Sequence, residues 1–161
     1  MRARMALHMA GINVEHREVA LRNKPAEMLA ASEKGTVPVL ILPDGHALDE
    51  SLDIMTYALP AQSWDVGLVA ANDGAFKHHL DQYKYKSRYD DTAKRGDVDL
   101  THRAAAVDIL RAYEARLASQ AYLSGDALSL TDIAIFPFVR LTLPRTVIFA
   151  ACFAGLATAN F

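Results

Sequence analysis

Residues Lys34 to Leu52 constrain the fold more than any other stretch, because they place an apolar run, a turn, a return strand and a polar helix start side by side. Val37-Pro38-Val39-Leu40-Ile41-Leu42 is apolar and rich in β-branched residues, which predicts a strand. Pro43-Asp44-Gly45 is a turn triplet and Ala47-Leu48 a brief return strand, so the segment reads as a β-hairpin. Glu50-Ser51 then opens a helical pattern. A carboxylate and a hydroxyl stand there beside backbone N–H groups that have no intrahelical acceptor and therefore attract anions.

The 161 residues suffice for one ordinary domain or two small ones. With a net charge of -2 and no sustained Lys/Arg patch, the chain lacks the electrostatic footprint of a nucleic-acid binder. Cys152 is the single cysteine, which excludes an intramolecular disulfide and a cysteine zinc cluster and fits a reducing cytoplasm. In its apolar setting it reads as a small core residue rather than a reactive thiolate. The apolar run after Met1 is too short, and broken by His8, to be a secretory signal.

Residues 1–10 predict a helix stopped at Gly11. Val14 to Leu21 is a strand candidate with imperfect alternation. Pro25 starts a second helix that is expected to run to about Lys34 and stop at Gly35. After the hairpin, Ser51 to Leu59 carries an apolar face of Leu52, Met55 and Leu59, with Ile54 and Ala58 beside it. Pro60 to Ser63 breaks this pattern, and β signals vanish beyond it, which sets domains at 1–60 and 65–161.

In the second half, Trp64 to Ala71 predicts a short helix, and Asp73 the cap of another carrying Phe76, Leu80 and Tyr83. Arg88 to Asp99 reads as a charged loop. Thr101 to Ser119 predicts a long helix with Val107, Leu110, Tyr113 and Leu117 on one side. Ser129-Leu130-Thr131-Asp132 is a capping-box signature, which assigns Asp132 a structural role. The helix it opens is apolar on all sides, so it is expected to be buried, with a kink at Pro137. From Thr146 to the end there is no charge. A buried terminal helix over 141–161 is favoured over a membrane anchor, since a span needs about 20 apolar residues.

Thr36-Val37-Pro38-Val39-Leu40, Asp49-Glu50-Ser51-Leu52-Asp53-Ile54 and Ser129-Leu130-Thr131-Asp132-Ile133, in this order and at these separations, resemble the cytosolic glutathione transferase superfamily; Phe76 to Tyr85 looks like its bacterial branch. The resemblance implies an α/β plus all-α fold class, with a thioredoxin-like N-terminal domain followed by a helical C-terminal domain. It also implies a cytoplasmic homodimer that binds glutathione as co-substrate and conjugates it to small electrophiles, with no nucleic-acid or membrane partner. In such proteins the proline matching Pro38 is cis, and the residue matching Val37 pairs its backbone with the cysteinyl part of glutathione. Glu50 and Ser51 match the residues that hold the γ-glutamyl ammonium and carboxylate. Lys34 either approaches the glycyl carboxylate or ends a helix in solvent. From the residues alone, Pro38 is an edge-strand proline and Glu50-Ser51 a plain helix cap; three motifs in register reverse that preference.

The thiol-activating Tyr, Ser or Cys of the superfamily lies between the first strand and first helix. Met1 to Leu7 matches the helix itself, so the expectation is a truncated chain without that strand and with the catalytic residue unknown. The charge-free tail suggests an altered reading frame. Two alternatives accompany the transferase reading: a catalytically inert glutathione-binding module, and a glutathione-dependent thiol oxidoreductase whose cysteine is missing. No metal is expected, because His78 and His79 point about 100° apart on a helix and have no partner one turn on. Tyr83, Tyr85 and Tyr89 either shape an electrophile pocket or only pack. Asp49, His46 and Asp53 read as solvent-facing charges.

Overall fold

The computed structural model describes residues 1–142. The chain forms two compact units, Met1–Gln62 and one beginning at Ser63. The first contains α1 (Arg2–Met9), α2 (Ala26–Ala31), β1 (Leu40–Ile41), β2 (Ala47–Leu48) and α3 (Ser51–Ala58). The second contains α4 (Val66–Ala71), α5 (Lys77–Lys84), α6 (Leu100–Leu117) and α7 (Leu130–Thr142). No helix among the described residues is long and apolar enough to cross a membrane. The terminal helix expected over 141–161 lies, beyond Thr142, outside the described residues, as does Cys152.

In the first unit α1 packs against α3. Met5, Ala6, Ile54 and Met55 are excluded from solvent at this contact, and each large side chain so buried contributes about 1.5–3 kcal/mol of transfer free energy. The inward face of α3 is thus Ile54, Met55 and Ala58. Leu52 and Leu59, expected on that face, are only half-buried. Gly11 stops α1 as expected, with φ +65. Its N–H donates to the His8 carbonyl and the Ile12 N–H to the Leu7 carbonyl, the paired bonds of a Schellman stop.

The structure departs from three expectations. Val14 to Leu21 forms no strand: Val14 and Leu21 are exposed, and the two-stranded β1–β2 sheet is the only ladder among the described residues. A strand holds only against a partner, which sequence alternation does not supply. Helix α2 ends at Ala31, three residues before Lys34. Ser32 turns extended (φ -145) and buries its hydroxyl against Asp49, so side-chain bonding has displaced the last helical turn. The first hairpin strand is restricted to Leu40–Ile41, paired antiparallel with Leu48 and Ala47. The turn between them forms as read. Gly45 takes φ +86 and donates to the Leu42 carbonyl, while Asp44 Oδ1 accepts from the His46 N–H.

In the second unit Asp73 caps no helix. The chain runs from α4 through a π-helical turn, Asn72–Phe76, directly into α5. The cap in this region is Asp65, whose carboxylate accepts from the Leu68 N–H at 2.8 Å at the start of α4. Asp99 caps α6 in the same way, accepting from the Thr101 and His102 N–H groups. The face of α6 that is buried is Ala106, Leu110 and Tyr113; Val107 and Leu117 are at its margins. Helix α7 is buried on all sides from Leu130 to Pro137, as its composition demands.

At the start of α7 the buried Asp132 carboxylate accepts from the Ser129 N–H at 2.9 Å and the Ser129 hydroxyl at 2.6 Å, and its other oxygen accepts from the Leu123 N–H at 2.8 Å. The capping-box carboxylate therefore reaches back as expected, but the serine hydroxyl donates to it instead of capping the backbone. Asp132→Ala leaves three donors without an acceptor in a dry site, and is expected to lower unfolding stability by about 3 kcal/mol in urea titrations with an unchanged slope. At Gly11 the position of an added Cβ meets nothing within 4 Å. Gly11→Ala is therefore expected to cost only the left-handed backbone penalty, about 1 kcal/mol in the same measurement.

Candidate functional site

The segment from Ser32 to Ser51 brings together Lys34, Asp49 and Glu50, three of the polar groups singled out from the sequence, and adds Ser32 to them. Asp49 sits just before α3, and its side chain joins the loop after α2 to that helix. One carboxylate oxygen accepts from the Ser32 hydroxyl at 2.9 Å and the other from Lys34 Nζ at 3.2 Å. Lys34 Nζ also donates to Glu50 Oε1 at 2.7 Å. Lys34 thus bridges two carboxylates, and Asp49 is not the solvent-facing charge that sequence reading expected. His46 and Asp53 do face solvent. The Ser32 hydroxyl, followed by the Lys34 ammonium, holds the Asp49 carboxyl below its ordinary range. Bonds to Glu50 and then Asp49 raise the Lys34 ammonium above its own.

Gly35 makes the tight approach between α2 and the hairpin. It takes φ +55, and a Cβ there would stand 3.0 Å from Leu29 Cδ2. Beyond it, Val37 is exposed and the Val37–Pro38 peptide bond is cis. Glu50 is the N-cap residue of α3 in extended conformation (φ -112, ψ 136), and its side chain makes no capping bond. Ser51 follows as the first helical residue, half-buried. The helix start is therefore uncapped, with its positive dipole end and first N–H groups available to an anion. Val37, Pro38, Lys34, Glu50 and Ser51 all lie in this one unit.

In the second unit the tyrosines divide. Tyr85 and Tyr89 are exposed, Tyr83 is half-buried, and the Arg88 guanidinium lies 4.2 Å above the Tyr85 ring. Tyr113 is in the core, edge-on to Phe76, and burial pushes its phenol up to about 12. An open depression lined by Ser63, Trp64, Asp65, Arg116 and Ser124 was not anticipated. Its charges are structural: Asp65 caps α4 and pairs with Arg116 at 2.9 Å.

Sequence reasoning also missed a histidine group. His78 and His79 diverge on α5, as helix geometry requires, but His102 in the first turn of α6 meets both. His79 Nδ1 and His102 Nδ1 are 2.8 Å apart, and the ring centroids of His78 and His102 are 5.7 Å apart. Burial, then the fields of His102 and His78, lower the His79 pKa. The signal lay in a contact between two helices, 23 residues apart in sequence, which no local spacing reveals.

Comparison with known proteins assigns this architecture. Residues 1–63 match the family model of the glutathione S-transferase N-terminal domain, and residues 71–153 that of the C-terminal domain. A curated relative, glutathione S-transferase U19 of Arabidopsis thaliana, is 28% identical over 146 residues. That alignment spans 86% of this chain and 66% of the relative, so the chain covers just under two thirds of its length. Among solved structures, a glutathione S-transferase from Rhodospirillum rubrum has a TM-score of 0.66 at 22% identity, covering 87% of this chain and 71% of that one. A glutathione transferase from Burkholderia graminis, solved with two glutathione molecules bound per subunit, has a TM-score of 0.65 at 22% identity, covering 88% and 67%. The fold class is accordingly a thioredoxin-like N-terminal domain followed by a helical C-terminal domain. With the C-terminal domain model alone matching more than half of its residues, the chain belongs to the glutathione S-transferase family.

Proposed function

We propose that this protein binds glutathione through the Val37–Ser51 segment and conjugates its sulfur to small electrophiles. The observation that carries the reading is the uncapped start of α3, where Glu50 and Ser51 stand together with no side chain filling the cap. A γ-glutamyl group carries a carboxylate and an ammonium on one carbon. The helix N-terminus with the Ser51 hydroxyl answers the first, and the Glu50 carboxylate answers the second. Val37, exposed at a bend of the chain just before Pro38, would offer its N–H and C=O to the cysteinyl peptide. Lys34, engaged by Asp49 and Glu50, acts mainly to orient Glu50 and to close the loop after α2. Family resemblance further supports a homodimer and a cytoplasmic setting for this activity.

The test is retention on immobilised glutathione, calorimetric affinity for free glutathione and turnover of an aryl halide. Retention with turnover would support both parts of the reading. Retention without turnover would assign an inert glutathione-binding module instead, and absence of retention by folded protein would reject both. Ser51→Ala and Glu50→Ala are each expected to weaken glutathione affinity by about 10-fold or more, since each removes a hydrogen bond to a charged group. Their thermal unfolding should stay close to that of the parent.

The orienting role of Lys34 has a separate signature in pH. The depressed Asp49 carboxyl contributes stability in full above its ordinary value of 3.8, and loses it as pH falls through the lower folded value. The raised Lys34 ammonium contributes in full below 10.5 and loses it as pH rises through the higher folded value. Lys34→Met is therefore expected to lower the urea midpoint at pH 7, with a difference from the parent that shrinks in acid below 3.8. A pH-independent difference would contradict this.

A further inference from the structure

We propose that His78 and His79 of α5 and His102 of α6 form a binding site for a divalent transition metal of the zinc, nickel or copper type. Each residue offers one imidazole nitrogen, and these nitrogens lie within 4.8 Å of one another. The ring centroids are 5.3 Å apart for His78 and His79, 5.7 Å for His78 and His102, and 5.0 Å for His79 and His102. Three imidazoles bound at about 2.0–2.1 Å around a tetrahedral zinc hold their nitrogens about 3.4 Å apart. The His79–His102 pair need open only slightly from 2.8 Å, and the exposed His78 side chain is free to swing inward.

The surroundings fit a ligand set better than a charge cluster. No carboxylate belongs to the group, and the nearby Asp99 is committed to the Thr101 and His102 N–H groups as the α6 cap. That cap fixes the first turn of α6 and so the place from which His102 projects. Two helices that already pack together contribute the ligands, which is the arrangement that spares a metal most of the entropy of assembling its own site. An all-nitrogen set selects zinc, nickel and copper over magnesium and calcium, which demand oxygen ligands. Three protein ligands leave a fourth position for water or a small anion.

The experiment uses untagged, chelator-washed full chain and titrates ZnCl2, NiCl2 and MgCl2 by calorimetry, with thermal unfolding in parallel. The expected result is saturable one-to-one binding of zinc and nickel, a raised melting temperature with each, and no effect of magnesium. His79→Ala and His102→Ala are expected to weaken binding at least 10-fold, while His16→Ala, outside the group, leaves it unchanged. The exposed His78→Ala gives the same loss in a variant whose fold does not rest on the side chain. Absence of saturable zinc or nickel binding by the parent would overturn the site. So would undiminished binding by His78→Ala, or by a folded His102→Ala, and that result would leave the His79–His102 contact as a plain hydrogen bond between helices.

Discussion

The helical unit depends on one buried carboxylate. Asp132 is fully excluded from solvent, and its two oxygens take three donors from residues outside the helical ladder of α7. The neighbouring Thr131 hydroxyl, also fully buried, accepts from the Asp65 N–H and from the Ser124 hydroxyl. Asp65 in turn caps α4 and pairs with Arg116 near the end of α6. The starts of α4 and α7 and the end of α6 are thus tied through a short chain of hydrogen bonds. Apolar packing alone would let an all-round hydrophobic helix such as α7 rotate about its axis, since every face is equally content in the core. Directional bonds at one end remove that freedom.

In the first unit the corresponding tie is Asp49, which fastens the loop after α2 to the start of α3. Its partner Ser32 is buried, whereas Lys34 is half exposed, so the serine bond is the better shielded of the two. Glu50 remains accessible above this anchor, held from one side by Lys34. A carboxylate on a fixed helix start, approached by one adjustable cation, is the arrangement on which the proposed recognition of a small zwitterion rests.

What was legible in the sequence was local. The Gly11 stop, the Asp44-Gly45 turn and the reaching-back carboxylate of Asp132 each depend on residues within four or five positions, and each is seen. The thioredoxin-like and helical halves were legible because three motifs fell in register with a known family. What was missed required a partner from elsewhere in the chain. Val14 to Leu21 had strand-like residues but no strand to pair with. Ser32 left α2 early for a carboxylate 17 residues on. His102 completed a group whose other two members looked isolated on α5. Side-chain periodicity carries no information about such encounters, because it describes one element and not what it meets.

The π turn at Asn72–Phe76 sets the rotational phase of α5. It holds one residue more than an α turn needs, so everything after it is displaced by about one residue position, roughly 100° around the axis. In this phase Phe76 and Leu80 enter the core together, and His79 is delivered to His102. An unbroken α-helix over the same residues would swing Leu80 towards solvent and carry the imidazole past its neighbour. The five residues of that turn therefore act as the gear that meshes α5 with α6.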